Sequence, residues 1–259
     1  AEMFKNDREN FVSKWDDIKM FIQFGMLTDE KFYEKAKDFA LLKNLNGDYF
    51  TLEEYKDKVR ENQVDKDGNM VILYTQDADA NYTYIERAKA KGYDVLLMNG
   101  ELDVHTMSQA EQKNEKLRFV RVDSDTVENL IKKEETAKDN YSDEQKEGLR
   151  KAFEGMLPSS EDKLRYFVTC EPAASDALPV FLTQNEFMRR MKEMAAHQQG
   201  MSFYGQMPDQ YNLVINTAHP LIQELVSKMT SEEVQEEVEK KAEKEGDAPT
   251  KETVIKTVY

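Results

Sequence analysis

Apolar residues recur every three or four positions near the start of the chain. Phe11, Trp15, Ile18 and Ile22 form one such stripe, the pattern of a helix with a single buried face. Gly25 is the expected stop for that helix. Thr28 and Asp29 are the expected caps of the next, whose stripe is Phe32, Ala36, Phe39 and Leu42. Thr51-Leu-Glu-Glu54 has the form of a capping box opening a short helix. Residues 7–62 are therefore predicted to be mainly helical.

The rhythm then changes. Met70–Thr75 is a continuous apolar run of strand length, as are Tyr93–Met98 and Leu117–Val122. Helical segments lie between them, about Asn81 to Lys91 and about Val104 to Gln112. Strand, helix and strand at this spacing predict parallel strands buried on both faces. Residues 68–122 thus read as a small three-layer αβα subdomain.

From Asp123 the composition shifts toward charge. Residues 125–155 read as helical, with Ser142-Asp-Glu-Gln145 as a second capping box. Strand-like runs follow at Leu164–Cys170, Leu178–Thr183 and Tyr211–Ile215, and helices at 184–197 and about 219–229. Thr183-Gln-Asn-Glu186 has the capping-box form before the first of these helices. Glu232 to Lys244 is a charge-rich stretch, broken by Gly246-Asp-Ala-Pro249. Thr250 can cap a helix carrying Val254, Ile255, Val258 and Tyr259. The fold class is α+β overall. Two domains are expected: residues 1–123, ending in the αβα layer, and residues 124–259, with a small sheet and amphipathic helices.

Composition narrows the function. The chain has 259 residues, 39% hydrophobic and 34% charged, with a net charge of −15. Such acidity disfavours nucleic acid and anionic membranes, both of which need clustered Lys and Arg. No run approaches ~18 consecutive apolar residues, so no membrane span is expected. One cysteine, Cys170, leaves no intramolecular disulfide and fits a reducing compartment. It reads as a small strand hydrophobe rather than a nucleophile. The expected location is cytoplasmic, and a first residue of Ala1 rather than Met suggests a piece of a longer chain.

Reactive chemistry is hard to find. The first crossover turn, Thr75-Gln-Asp-Ala-Asp-Ala80, has no glycine and carries two aspartates, which oppose phosphate. Gln63-Val-Asp-Lys-Asp-Gly-Asn69 lacks the first and twelfth carboxylates of a calcium loop. His105, His197 and His219 are scattered, without metal-ligand spacing. Catalytic, cofactor and metal residues are expected to be absent, and Asp and Glu in so acidic a chain read as solvated.

One segment stands apart. Five of the 13 methionines fall within residues 187–207. Phe187, Met191 and Met194 lie at i, i+4 and i+7 with Met188 beside them; Arg189, Arg190 and Lys192 occupy the other side. Beyond Gly200, Met201, Phe203, Tyr204 and Met207 sit among Gly and Gln. Methionine is flexible and polarizable, so a Met-rich surface can repack against many apolar partners. The plainer alternative is that this helix packs on its own domain's sheet.

Taken in order, several segments resemble the heat-shock protein 90 chaperone family. Asp7-Arg-Glu-Asn-Phe11 with Trp15, Gly25 and Met26 is similar to a middle-domain helix of that family. Phe50–Tyr55, Val59–Gln63, Met70–Thr75, Gly92–Met98 and Leu102-Asp103 resemble the part of the middle domain ending in the small subdomain. Leu178–Met194, Asn212–Ile222 and Lys251–Tyr259 resemble the C-terminal domain, although Thr217 and Ala218 stand where the family commonly has Pro and Asp. The likeness covers nearly the whole chain and is closest to the bacterial form, associated with the stress response.

The resemblance implies a chaperone that binds unfolded or partly folded client proteins. Its ATP and magnesium site and the hydrolysis-assisting arginine would lie upstream of Ala1, so no enzyme activity and no cofactor are implied for this stretch. Client contacts carry over to Phe187, Met188, Met191 and Met194 with the following loop (Met201, Phe203, Tyr204, Met207). They also carry over to Val104, His105 and Met107, where His105 replaces an exposed tryptophan that bacterial relatives can have. Val254, Ile255, Val258 and Tyr259 would open the first dimer helix. The parent would be a homodimer and this stretch a monomer or weak dimer, with a chaperone of the heat-shock protein 70 type as a further implied partner. Two other readings remain: an enzyme with a small-molecule pocket at the C-terminal ends of strands 70–75 and 93–98, and a structural scaffold with the methionines buried.

Overall fold

The computed structural model describes residues 1–131, 141–157, 164–173, 177–197 and 207–229. The chain divides into two compact units, Ala1–Glu135 with Glu186–Gln206, and Thr136–Asn185 with Met207–Tyr259.

The first unit opens with helices α1 (Glu2–Asn6), α2 (Arg8–Thr28) and α3 (Glu30–Ala36). The predicted stripe forms their core: Phe11, Trp15, Ala36, Phe39 and Leu41 are buried together, with Ile18 and Ile22 against them. Phe11 meets Phe39 edge-on at 6.0 Å, the geometry that ring quadrupoles favour. Gly25 does not end α2. The helix continues to Thr28, and Gly25 instead makes room for Phe32, whose ring lies 2.8 Å from where a Cβ would sit. Asp29 alone caps α3, accepting the Lys31 and Phe32 amides. Thr28 donates back to the Phe24 carbonyl.

The expected helical stripe through Leu42 also breaks. α3 stops at Ala36, and β1 (Leu41–Lys43) pairs antiparallel with β2 (Tyr49–Thr51). Gly47 turns the hairpin at φ +86°, which a side chain would oppose. The Thr51 capping box then opens α4 (Leu52–Val59), with both reciprocal bonds formed.

β3 (Met70–Thr75) lies between β4 (Val95–Leu97) and β5 (Leu117–Arg121), parallel to both. Its alternate residues enter two cores. Ile72 and Tyr74 face α4 and α6 (Asp103–Lys113); Val71 and Leu73 face α5 (Tyr82–Ala90) and α7 (Val127–Leu130). This is the predicted αβα layer, and burial of both faces explains its unbroken apolar strands. The calcium-like loop is a polar turn. Asp65 accepts from the Asp67 and Asn69 amides and the Asn69 side chain, and Gly68 sits at φ +78°.

In the second unit, β6 (Leu164–Glu171) runs parallel and β7 (Val180–Gln184) antiparallel to the central β8 (Asp209–Asn216). α8 (Asp143–Met156), opened by the Ser142 capping box, and α10 (Pro220–Met229) supply Leu149, Ile222, Leu225 and Val226 to a core with Val168 and Ile215. Cys170 packs beside that core, its thiol 3.6 Å from the Lys146 carbonyl. The charge-rich stretch 232–244 and the expected helix from Thr250 lie outside the described residues.

Candidate functional site

α9 (Glu186–His197) belongs to the first unit and lies on the αβα layer beside α6 and β5. It begins at Glu186. Thr183 is a buried residue of β7, so the expected capping box does not form. Glu186 instead anchors the helix to the layer. Its Oε1 accepts from the Tyr74 hydroxyl and from Arg190 Nε, each at 2.6 Å, and from Arg189 at 3.0 Å.

The two arginines close the contact. Arg190 pairs with Glu111 of α6 at 2.8 Å and donates to the Phe119 carbonyl of β5. Arg189 binds Glu193, the Tyr74 hydroxyl and Gln76. Gln76 in turn donates to Glu193 at 3.2 Å. Both guanidinium groups lie within 5.8 Å of the Tyr74 ring centre, the range of cation–π attraction. Burial works to raise the Glu186 carboxyl, but the charges of Arg189 and Arg190 and the Tyr74 hydroxyl outweigh it and hold it below the ordinary range. Burial, with Glu186 alongside, pushes the Tyr74 phenol well up, so it remains a donor at neutral pH.

The charged side of α9 therefore faces inward. Arg189 and Arg190 are 5% and 8% exposed, whereas Phe187 is 66% exposed. Met188, Met191 and Met194 are half-buried; Met194 touches the core of Tyr74, Met107 and Phe119. Met207 is half-buried ahead of β8, in the second unit. Met201, Phe203 and Tyr204, and the terminal set Val254, Ile255, Val258 and Tyr259, lie outside the described residues.

The second expected contact patch is corrected. Val104 and Met107 are core side chains beneath β3 and β5, because the first turns of α6 direct them into the sheet; His105 beside them is half-buried. Another apolar surface went unread: Met20, Phe21 and Phe24 of α2 are 50%, 70% and 61% exposed. Asp103 departs from the solvated expectation. It is fully buried and accepts from Lys19 and Gln23 at 2.7 Å and from the Gly100 amide at 2.8 Å.

The end of β3, where parallel sheets commonly take ligands, is filled. Thr75 bonds Asp77 and Asn81, and Gln76 is held by Arg189 and Glu193. A cavity of about 70 Å³ lies elsewhere in this unit, among Trp15, Met26, Tyr33, Leu52 and Gln109. Its lining is mostly apolar and carries no reacting pair. Among the described residues no acidic, His or Cys cluster could hold a metal, and no helix is long and apolar enough to cross a membrane.

With this geometry in place, likeness to known proteins becomes informative. The family model described as Hsp90 protein matches residues 1–244. A protein named chaperone protein htpG from Bacteroides fragilis is 51% identical over 224 residues, 86% of this chain and 33% of that protein. Proteins named chaperone protein HtpG from Bacteroides thetaiotaomicron and Porphyromonas gingivalis are each 50% identical, over 224 and 225 residues and again 33% of their lengths. The chain spans about a third of the length of the curated relatives it matches. A family match over so much of the chain, joined to about 50% identity with these relatives, settles its kinship: the chain belongs to the Hsp90 family.

Proposed function

We propose that this chain is a client-holding part of an HtpG-type chaperone. It binds unfolded or partly folded polypeptides through the outward side of α9, chiefly Phe187, Met188 and Met191, with Met194 at the edge. The observation that carries this reading is the 66% exposure of Phe187 on a helix whose arginines are buried. Phe187 with the part-exposed Met188 and Met191 beside it makes a contiguous apolar patch, the kind of surface that supports association, and the methionines let it accept varied partners. Each contact is adaptable and must be ordered on binding, so affinity for any one client is modest.

On this reading the mechanism is binding rather than bond chemistry. ATP and magnesium would act in the part of the protein outside this chain, and homodimerisation would involve the segment opening at Val254, Ile255, Val258 and Tyr259. The protein would work in the cytoplasm, and a chaperone of the heat-shock protein 70 type is a candidate partner. Membership of a family whose matched relatives are named chaperones supports the general role.

The test replaces Phe187, Met188 and Met191 with Ser. Folding should be retained, because these side chains are not part of the buried cores. Binding of a permanently unfolded polypeptide by this chain, and suppression of aggregation by the full-length parent, should both weaken. Unchanged binding and unchanged suppression would defeat the assignment.

A further inference from the structure

An amphipathic helix on a protein surface normally buries its apolar side. On α9 the charged residues Arg189 and Arg190 are buried at 5% and 8% exposure and Phe187 is 66% exposed, while Met188 and Met191 are half-buried, Met194 reaches the core and Ala195 is buried. At 100° per residue, Glu186, Arg189, Arg190 and Glu193 share one side, and that side meets Tyr74, Gln76, Glu111 and the Phe119 carbonyl. Met188, Met191 and Ala195 lie on the opposite side, the methionines half-buried and the alanine buried, with the exposed Phe187 flanking. Burying Phe187 and Met191 against the layer would be favoured by the hydrophobic effect, so some feature must oppose that rotation.

We propose that Arg189 and Arg190 are positioning residues that fix the rotation of α9, holding its charged side against the αβα layer, Phe187 outward and Met188 and Met191 part-exposed. The inference rests on the client-binding reading for its purpose, but its geometry stands apart from it. Buried ion pairs add little net stability compared with apolar packing, and their best-attested role is to specify one arrangement over another. The network has that character. Arg190 is a three-way fork, with separate nitrogens reaching Glu186, Glu111 and the Phe119 carbonyl, and a rolled helix could not satisfy all three. Glu186 Oε2 and Arg189 Nε are buried with no hydrogen-bond partner among the described residues. Such a contact is poorly suited to maximal stability but well suited to orientation, because any other rotation would leave more charge unpaired.

The experiment removes the charges together without making the inward side apolar, in the variant Glu111→Gln/Glu186→Gln/Arg189→Gln/Arg190→Gln of this chain. Hydrogen peroxide oxidation of Met188, Met191 and Met194 is followed by peptide mass spectrometry. Met20, 50% exposed, and Met107, 1% exposed, serve as internal references. Loss of the positioning pair should let the helix roll, slowing oxidation of Met188 and Met191 on the order of threefold as they become buried, with the thermal midpoint unchanged or higher. A merely structural anchor predicts the opposite: all three methionines oxidise faster and the midpoint falls. That outcome, or unchanged rates, overturns the proposal.

Should the fourfold variant fail to fold, Arg190→Lys keeps the charge but cannot make the three-way fork, and should shift the same rates in the same direction by less. Binding of reduced, carboxymethylated α-lactalbumin is read in parallel. Protected methionines with unchanged binding would leave the orientation standing and defeat the client reading. Weaker binding with unchanged methionine rates would defeat the orientation alone.

Discussion

Removing the Asp103 carboxylate should unfold the first unit far more readily than its place on a short helix suggests. Asp103 is fully buried, and its three partners all donate: Lys19, the Gln23 amide and the Gly100 backbone. In Asp103→Ala, Lys19, 20% exposed on its side chain, can swing to water, but the Gln23 and Gly100 donors lose their acceptor. At about 1–3 kcal/mol for each buried donor left unmade, plus lost packing, the expected cost is about 4 kcal/mol. Asp103→Asn should cost only about 1–2 kcal/mol, since the Gln23 amide can turn and present its oxygen, leaving mainly charge assistance to be lost. Adding Gln23→Met to Asp103→Ala should recover about 1 kcal/mol, because it removes an orphaned donor instead of a contact. Trp15 is the sole tryptophan and is 1% exposed in the helical core, so its fluorescence in a urea titration reports this unit. A loss of about 4 kcal/mol lowers the midpoint by about 2 M at a typical slope. Equal losses for the Ala and Asn variants, or a double variant weaker than Asp103→Ala, would refute this account.

Three further outcomes can be measured. Gly25→Ala should destabilise by about 1 kcal/mol despite alanine's better helix propensity, because its Cβ would meet the Phe32 ring; a raised urea midpoint contradicts this. The hydrogen bond from Arg8 holds the Glu54 carboxyl down at about 2, against 4.5 ordinarily. Its contribution is thus complete above pH 4.5 and fades as pH falls toward 2; with both side chains about 40% exposed, screening limits it to about 1 kcal/mol. Glu54→Gln keeps the capping box but should flatten the stability-versus-pH curve across that window, and an unchanged curve contradicts the assignment. Phe187→Ser alone should shift the thermal midpoint by under about 1 °C while weakening binding of an unfolded polypeptide, as expected for a side chain 66% exposed.

The αβα layer was legible because strands buried on both faces must be continuously apolar, and Met70–Thr75 shows it. The capping boxes at Thr51 and Ser142 were legible because they are local. Two short strands, Leu41–Lys43 and Tyr49–Thr51, were missed because three residues show no period; Asn46-Gly47 between them was the available signal. The inward side of α9 was missed for another reason. A side bearing Arg189 and Arg190 reads as solvated unless their partners are seen, and Tyr74, Glu111 and Phe119 are more than 70 residues away. A local hint existed: Glu186 stands four residues before Arg190, and Arg189 four before Glu193, so that side is already charge-balanced.

Among the described residues, α6 contacts both helices that carry the exposed Met20, Phe21, Phe24 and Phe187. Asp103 and Glu111 are eight residues apart on that helix, about 12 Å along its axis. Asp103 grips Lys19 and Gln23 of α2; Glu111 grips Arg190 of α9. Each grip is a charge-assisted bond that fixes where the partner helix points. On α2 the gripped residues alternate with Met20, Phe21 and Phe24; on α9 the gripped arginine lies one turn from the exposed Phe187. Both helices still send apolar side chains into the core, Phe11 and Trp15 from α2 and Met194 from α9, while Met20, Phe21, Phe24 and Phe187 stay exposed. Fully burying one such exposed side chain would be worth about 1.5–3 kcal/mol. Neutralising α6 at both points, Asp103→Asn with Glu111→Gln, should loosen both surfaces, whereas truncating Phe21 or Phe187 should leave both grips in place.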